Sequence, residues 1–157
     1  MDFAVGKINV TQNNYTKPVN EEITPVIMGT DVTSFGYYND GKDGKNLALR
    51  YRFYKGYISF LGNKPDAQLR SKSWCEVSFP SLSGFSGTPV FLSGTDGLVG
   101  MLYGGKESDI EVFSYSEVNE GEKIFSEKIY RIMEFGLMHT ISDIKTYLKE
   151  MEIKAFI

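Results

Sequence analysis

Cysteine, histidine and proline are scarce in this chain, whose 157 residues include 1 cysteine, 1 histidine and 5 prolines. The single cysteine, Cys75, excludes a disulfide within the chain, and it lacks the partner residues that a zinc site needs. We therefore interpret Cys75 as a small, buried apolar residue.

Clusters of positive charge are also lacking, because 17 Lys and Arg residues against 20 Asp and Glu residues give a net charge of -3. Phosphate binding needs grouped basic side chains, so a nucleic-acid partner is not expected. No apolar run approaches the roughly 18 residues of a membrane-spanning helix. The opening MDFAVGKINV lacks the basic flank and long apolar stretch of a signal peptide. These absences leave the compartment open.

What the chain does contain favours strands and turns. Hydrophobic residues make up 41% and aromatic residues 14%, with 16 glycines, which is typical of one soluble globular domain rich in β-structure. Short apolar or alternating runs predict strands at 23–29, 74–79, 88–92 and 98–104, and two more within 47–62 that are broken at Lys55-Gly56. The glycine-rich segment 31–46 predicts an exposed loop.

The C-terminal part follows a different pattern. Residues 126–134 fit either a short helix or a twisted strand, and 137–141 alternates as a strand does. Residues 141–153 then carry apolar side chains at three- and four-residue steps, which predicts an amphipathic helix with Ser142 as its N-cap. The whole pattern predicts an all-β domain followed by one helix.

The segment FPSLSGFSGTPVF places Ser86 inside a glycine-rich turn. A serine hydroxyl becomes a nucleophile only when a base removes its proton and nearby donors stabilise the oxyanion. Gly84 has no side chain to block a carbonyl, so the N–H groups of Gly84 and Ser86 can point into one concavity. Gly87 lets the chain leave the turn without a clash. Such a turn is common, so by itself it favours a plain loop.

Other segments change this interpretation. The block Gly84 to Val90 resembles the G-[DN]-S-G-G-P-[VL] motif of the trypsin-like (chymotrypsin-fold) serine peptidases, particularly the disulfide-free bacterial type. GTDGLVGMLYGG (94–105) and GLMHTISDIKTYLKE (136–150) are similar to that family's next hairpin and to its last strand and helix. DFAVGKI (2–8) is similar to the segment that carries the family's triad aspartate.

The resemblance implies a role for each matching residue. Ser86 would be the nucleophile of a serine endopeptidase, the N–H groups of Gly84 and Ser86 its oxyanion hole, and Asp2 the carboxylate that orients a histidine. An extended polypeptide substrate would pair with the edge formed by Tyr103, Gly104 and Gly105. The resemblance implies no metal and no organic cofactor.

The resemblance also implies an architecture, which is a six-stranded antiparallel β-barrel like the second barrel of these peptidases, with a C-terminal helix. Residues 1–22 would be an inter-barrel segment that carries Asp2, residues 23–141 the barrel, and residues 142–157 the helix.

Several positions depart from the family's pattern. Phe85 replaces an Asp or Asn, and Thr88 replaces a glycine. Pro80 stands where an Asp would select basic side chains, so cleavage after Arg or Lys is not expected. Gly105 and Gly136 would leave the pocket open for a larger apolar side chain. The stretch from Lys106 to Phe135 is longer than the family's usual connection.

The catalytic base is the largest departure. The only histidine, His139, falls on a predicted strand and is interpreted as structural, whereas the family's histidine precedes the aspartate. We expect a first barrel in the same polypeptide to supply it, and we expect this chain alone to be inactive and to expose an apolar face. A peptidase-like module that binds peptides without cleaving them remains the alternative.

An α/β-hydrolase offers a third arrangement, with Ser86, Asp109 and His139 in the order that this class requires. Its serine turn needs a glycine where Thr88 stands, and a helix must follow the turn. The strand-like Pro-Val-Phe-Leu follows instead, so this interpretation is rejected.

Overall fold

The structure is a computed structural model that describes residues 26–39, 49–62, 74–119 and 122–151. Within them the chain is mostly β-structure with one helix at the C-terminal side, as the sequence predicts. Residues 1–25, which include Asp2 and the proposed inter-barrel segment, lie outside this part. The elements are β1 (Asp31–Asn39), β2 (Leu49–Gly62), β3 (Trp74–Val77), β4 (Pro89–Leu92), β5 (Leu98–Asn119), β6 (Glu122–Thr140) and α1 (Ile141–Glu150).

The six strands form one antiparallel sheet that closes on itself. Their order is β1-β2-β3-β6-β5-β4, and β4 pairs back onto β1 through Val32 and Leu92. Each strand therefore has two hydrogen-bonded neighbours, and the described part of the sheet forms a closed barrel. Within the barrel, closure removes the unpaired edges that make open sheets prone to aggregate.

The core fills the inside of this closed sheet. Along β1, Val32 and Ser34 are fully buried while Phe35 is exposed, which is the alternation of a strand with one face inward. The buried apolar cluster consists of Val32, Ile58, Cys75, Val77, Phe79, Phe85, Val90, Val99, Leu102 and Met138.

Strand β1 lies where the sequence predicts a loop, so that prediction was wrong for residues 31–39. Of the strand expected at 23–29, residues 23–25 lie outside the described part of the chain, and 26–29 are not a strand but include a turn at Met28 and Gly29, with Gly29 at φ 85°. Gly36, which favoured a loop in the sequence, is needed inside the strand: a Cβ there would lie 2.9 Å from Thr88 Oγ1. Glycine at this position lets β1 lie close to the segment that leads into β4.

Strand β2 is continuous from Leu49 to Gly62, so the expected break at Lys55-Gly56 is also wrong. Gly56 faces the side chains of Ser78 and Phe79, and a Cβ would lie 2.8 Å from the Phe79 ring. The glycine is there for packing and not for a turn.

The segment from Lys106 to Phe135 forms a two-stranded ribbon that continues β5 and β6 beyond the barrel. Its pairing runs from Lys106 opposite Phe135 to Asn119 opposite Glu122. Strand β3 pairs with β6 only from Gly136 onward, which marks the base of the ribbon. Residues 126–134 are therefore strand, and the long connection noted in the sequence is this ribbon.

Helix α1 begins directly after β6 and packs against β5 and β6 through Ile141 and Leu148. Its N-cap is Thr140, whose hydroxyl accepts a hydrogen bond from the Asp143 N–H at 3.2 Å. The prediction of Ser142 was wrong because the last strand residue itself caps the helix. In the part of the chain described, no helix has the length and apolarity to span a bilayer.

Candidate functional site

The Ser86 turn is built from two consecutive tight turns. The Phe85 N–H donates to the Leu82 carbonyl at 2.9 Å, and the Thr88 N–H donates to the Phe85 carbonyl at 3.0 Å. Gly84 and Gly87 have φ of 93° and 90°, a region that glycine enters without steric cost. The two glycines thus allow the chain to present Ser86 at the tip of the turn.

Phe85 anchors this turn in the core. Its side chain is fully buried, with its ring 5.4 Å from that of Tyr54 at 72°, and 6.4 Å from that of Tyr38. Edge-to-face contact of this kind is favourable for aromatic rings. An apolar anchor therefore holds the turn where the family's pattern has a polar residue.

Ser86 is exposed and is held against β5. Its Oγ donates a hydrogen bond to the Tyr103 carbonyl at 3.1 Å. Beside it, the Gly87 N–H donates to the Leu102 carbonyl at 2.8 Å, and the Leu102 N–H donates to the Thr88 carbonyl at 2.9 Å. The structure thus brings the predicted nucleophile next to the predicted substrate edge.

The backbone donors of the turn meet one requirement of an oxyanion hole. Among the described residues, neither the Gly84 N–H nor the Ser86 N–H donates to an acceptor, whereas the N–H groups of Phe85, Gly87 and Thr88 do. An oxyanion hole needs donors that are not already engaged.

The substrate edge contains a β-bulge at Tyr103. Leu102 pairs with Met138 and Gly104 pairs with Leu137, so Tyr103 is the extra residue of β5. On the other side of β5, pairing with β4 ends at Met101. From Gly104 onward no described strand pairs with that edge, which suits the addition of an extended peptide. Bulges are frequent next to active sites.

His139 does not act on Ser86 in this arrangement. It is only 2% exposed, and its ring stacks on the Tyr103 ring with 4.1 Å between centroids. Burial lowers its pKa because the charged form loses hydration. His139 is therefore a packed residue of β6, as the sequence predicts.

Asp109 lies on the ribbon, exposed and opposite Ile132. Met101, the residue paired with His139, is eight residues away along the same strand, which corresponds to roughly 26 Å at the rise of a β-strand. In addition, strand β4 and not a helix follows the Ser86 turn. The geometry of an α/β-hydrolase is thus excluded.

A cavity of about 470 Å³ lies beside the turn. The segment from Ser81 to Ser83, which leads into the turn, forms one wall, and β5 and β6 form the other. The lining residues are Ser81, Leu82, Ser83, Gly105, Lys106, Glu107, Glu134 and Phe135. Glu107 and Glu134 are directly paired across β5 and β6. Two glutamates on the same face of the sheet thus belong to the lining of this cavity.

Gly105 and Gly136 play different parts at this cavity. Gly105 lines it, and a Cβ there would lie 3.2 Å from the Ser81 carbonyl oxygen. Gly136 is buried elsewhere, where a Cβ would lie 2.7 Å from Val77 Cγ2, so it does not open the pocket. The lining differs from the apolar pocket that the sequence predicts.

The charge of Lys106 is directed away from those carboxylates. Its Nζ lies 2.7 Å from Glu76 Oε1 and 5.3 Å from the centroid of the Trp74 ring. The Glu76 side chain is mostly buried while the Lys106 side chain is half exposed, so this ion pair is only partly shielded from water. The local charge that remains at the cavity is negative.

No group of three or more His, Cys, Asp or Glu side chains that could hold a metal ion occurs among the described residues.

Family models, curated proteins and solved structures were compared with the chain, and none matches. Function must then be argued from the residues of the site.

The site contains features that the sequence did not reveal. In the sequence, Phe85 departs from the motif of the serine peptidases, whereas in the structure its buried ring anchors the turn. Glu107 and Glu134 were not singled out, because their juxtaposition depends on the register of two long strands. One feature of the sequence could have indicated them: Glu107 lies two residues after Gly105 and Glu134 two residues before Gly136, the glycines expected to line the pocket.

Proposed function

We propose that this chain is the serine-bearing barrel of a trypsin-like serine endopeptidase, with Ser86 as its nucleophile. The observation that carries the proposal is the turn itself: an exposed serine flanked by glycines at positive φ, anchored by Phe85 and hydrogen-bonded to the β5 edge. A histidine from a first barrel in the same polypeptide would act as the base.

The architecture supports the same proposal. The resemblance implies a six-stranded antiparallel barrel followed by a helix, and the described strands close in the order β1-β2-β3-β6-β5-β4 before α1. Fold alone would not decide the function, because one architecture serves many activities. The support lies in finding the serine turn beside a free strand edge and a cavity.

The chemistry would proceed through an acyl-enzyme. The base takes the Ser86 Oγ proton, the Oγ leaves the Tyr103 carbonyl and attacks the substrate carbonyl, and the base returns the proton to the departing amine. The Gly84 and Ser86 N–H groups would stabilise the negative oxygen. Water then hydrolyses the ester and restores Ser86.

The substrate would lie as an added strand along β5 from Gly104, with one side chain in the cavity. Glu107 and Glu134 favour a polar or positively charged side chain there. This selectivity differs from two predictions made from the sequence, which are the apolar preference from Gly105 and Gly136 and the absence of cleavage after Arg or Lys from Pro80.

Fluorophosphonate labelling of the full-length gene product tests the proposal. We expect one adduct, on Ser86, that is lost in Ser86→Ala and retained in Ser116→Ala, because Ser116 is an exposed serine on the ribbon, outside the cavity lining. Absence of labelling in a folded protein would reject the peptidase.

A non-catalytic peptide-binding module is the second candidate. It is favoured by the burial of His139, the chain's single histidine, against the Tyr103 ring, which leaves Ser86 without a base from the described residues. This function predicts no adduct, together with peptide binding that Ser86→Ala leaves unchanged and that bulk at the strand edge, as in Gly104→Trp, abolishes.

A further inference from the structure

The ribbon has two faces that differ in character. Directly paired residues of an antiparallel ladder lie on the same face, and successive pairs alternate between faces. The bulge between Glu111 and Phe113 shifts β5 by one residue, after which Phe113 pairs with Ile129. The register therefore assigns each paired residue of the ribbon to one face.

One side, which we call the apolar face, carries six large hydrophobic side chains. Each of them is between 38% and 52% exposed, although the ribbon is well separated from the core cluster. They are Ile110, Phe113, Tyr115, Phe125, Ile129 and Met133. Contiguous exposed apolar area on this scale marks an interaction surface.

The opposite face is mainly polar, with Ile132 and Tyr130 as exceptions. Its Lys128 Nζ lies 2.7 Å from Glu111 Oε2. That hydrogen bond holds the pKa of Glu111 below and the pKa of Lys128 above their usual values. This face is adapted to water, so the apolar face is the one that needs a partner.

Charges on the apolar face identify that partner. Along β6 the face reads Phe125, Glu127, Ile129, Arg131, Met133, so opposite charges lie two residues before and two residues after Ile129. Glu127 and Arg131 are about 13 Å apart along one extended strand, too far to pair with each other. In an antiparallel copy the same order places each opposite the other.

We propose that a second copy of this chain packs its apolar face antiparallel on this one, with a two-fold axis passing at Ile129. Glu127 then faces Arg131 of the partner subunit, and Phe125 faces the partner's Met133. On β5, Phe113 faces the partner's Phe113, and Tyr115 faces the partner's Ile110. A two-fold interface of this kind uses the same patch twice and closes after two copies.

The antiparallel arrangement is the one that the charges select. A parallel arrangement of the two ribbons would place β6 on the partner's β5, and Glu127 would then face Tyr115 of the partner subunit. Its carboxylate would lose water without gaining a cation, which is costly. The antiparallel arrangement pairs Glu127 and Arg131 of each copy, places Glu117 near the end of the interface opposite Ser108 of the partner subunit, and covers twelve large apolar side chains at the spacing of packed sheets.

Charge reversal tests this dimer in the full-length chain by sedimentation over a concentration series. Glu127→Arg alone opposes two positive charges at both ends of the interface, and Arg131→Glu alone opposes two negative ones. We expect each to raise the dimer dissociation constant by about ten-fold or more. An equimolar mixture of the two variants should recover dimers, because every pair is again of opposite sign.

Glu111→Arg is the matched control, since it makes the same change on the opposite face and should leave the dissociation constant unchanged. Circular dichroism confirms that each variant is folded. A monomer at every concentration overturns the proposal, as does a dimer that ignores the reversals. Full-length product that is monomeric because another of its domains covers the apolar face also overturns it.

Discussion

At the scale of single residues, Phe85 connects the core to the site, because one side chain both fills the barrel and fixes the turn that carries Ser86. It is fully buried among the rings of Tyr54 and Tyr38. The sequence indicated Ser86 and its glycines correctly as a turn. It did not indicate the anchor, since the contacts of Phe85 come from strands that are distant in the chain.

Phe85→Ala should lower the free energy of unfolding by about 3–5 kcal/mol, because it leaves a cavity in the core. Phe53→Ala, at a position 61% exposed, is the matched control and should cost less than about 1 kcal/mol. Urea titration followed by circular dichroism measures both. A small loss at Phe85 would show that the ring does not anchor the turn.

His139 makes stability depend on pH. Burial holds its pKa in the folded chain below that of the unfolded chain, so protons bind the unfolded chain more tightly. The contribution of neutral His139 to the free energy of unfolding is complete above the unfolded pKa of roughly 6.5, and it is lost as the pH falls below that value. We expect the midpoint urea concentration of His139→Gln to fall less steeply with decreasing pH than that of the unsubstituted protein. Equal slopes in the two proteins would exclude His139 as the source.

At the scale of elements, strands with strong apolar runs were predictable and strands with unusual composition were not. The short strands β3 and β4 and helix α1 lie close to their predicted positions. Strand β1 was missed because its glycine and polar residues are characteristic of loops, and β2 was divided at Gly56. In both strands the glycine leaves room for a side chain from a segment distant in the chain, and a sequence does not show that neighbour.

The N-cap of α1 gives a paired test at this scale. Thr140→Ala removes the hydroxyl that accepts from the Asp143 N–H, and it should destabilise the protein by about 1 kcal/mol. Ser142→Ala, two residues further on and exposed, should change stability by less than about 0.5 kcal/mol. Thermal unfolding compares the two. The reverse ranking would restore the cap predicted from the sequence.

At the scale of the whole molecule, closure of the sheet depends on contacts between distant parts of the chain. Strand β1 meets β4 at Val32 and Leu92, and β3 meets β6 at Cys75 and Met138. No local pattern encodes these pairs, so the residues imply β-structure, whereas the order of the strands in the closed sheet is seen only in the structure. The cavity beside Ser86 depends on the same register, which explains why its carboxylates were missed.

Cys75 reports on opening of the barrel. It is 2% exposed between β2 and β6, and burial raises the pKa of its thiol to about 12. The thiolate is the reactive form, so a disulfide reagent at pH 8 should label the native protein about a thousand-fold or more slowly than the urea-unfolded chain. Labelling within ten-fold of the unfolded rate would indicate an open sheet.

The position of β6 in the barrel has a consequence for synthesis. This strand forms the wall between β3 and β5, yet it is the last of the described strands in chain order. While the protein is being translated, the first five strands therefore emerge with a gap in the barrel, and their inward faces stay exposed until Met138 has left the ribosome. We expect the nascent chain to bind chaperones that shield apolar segments and to release them only after translation of β6.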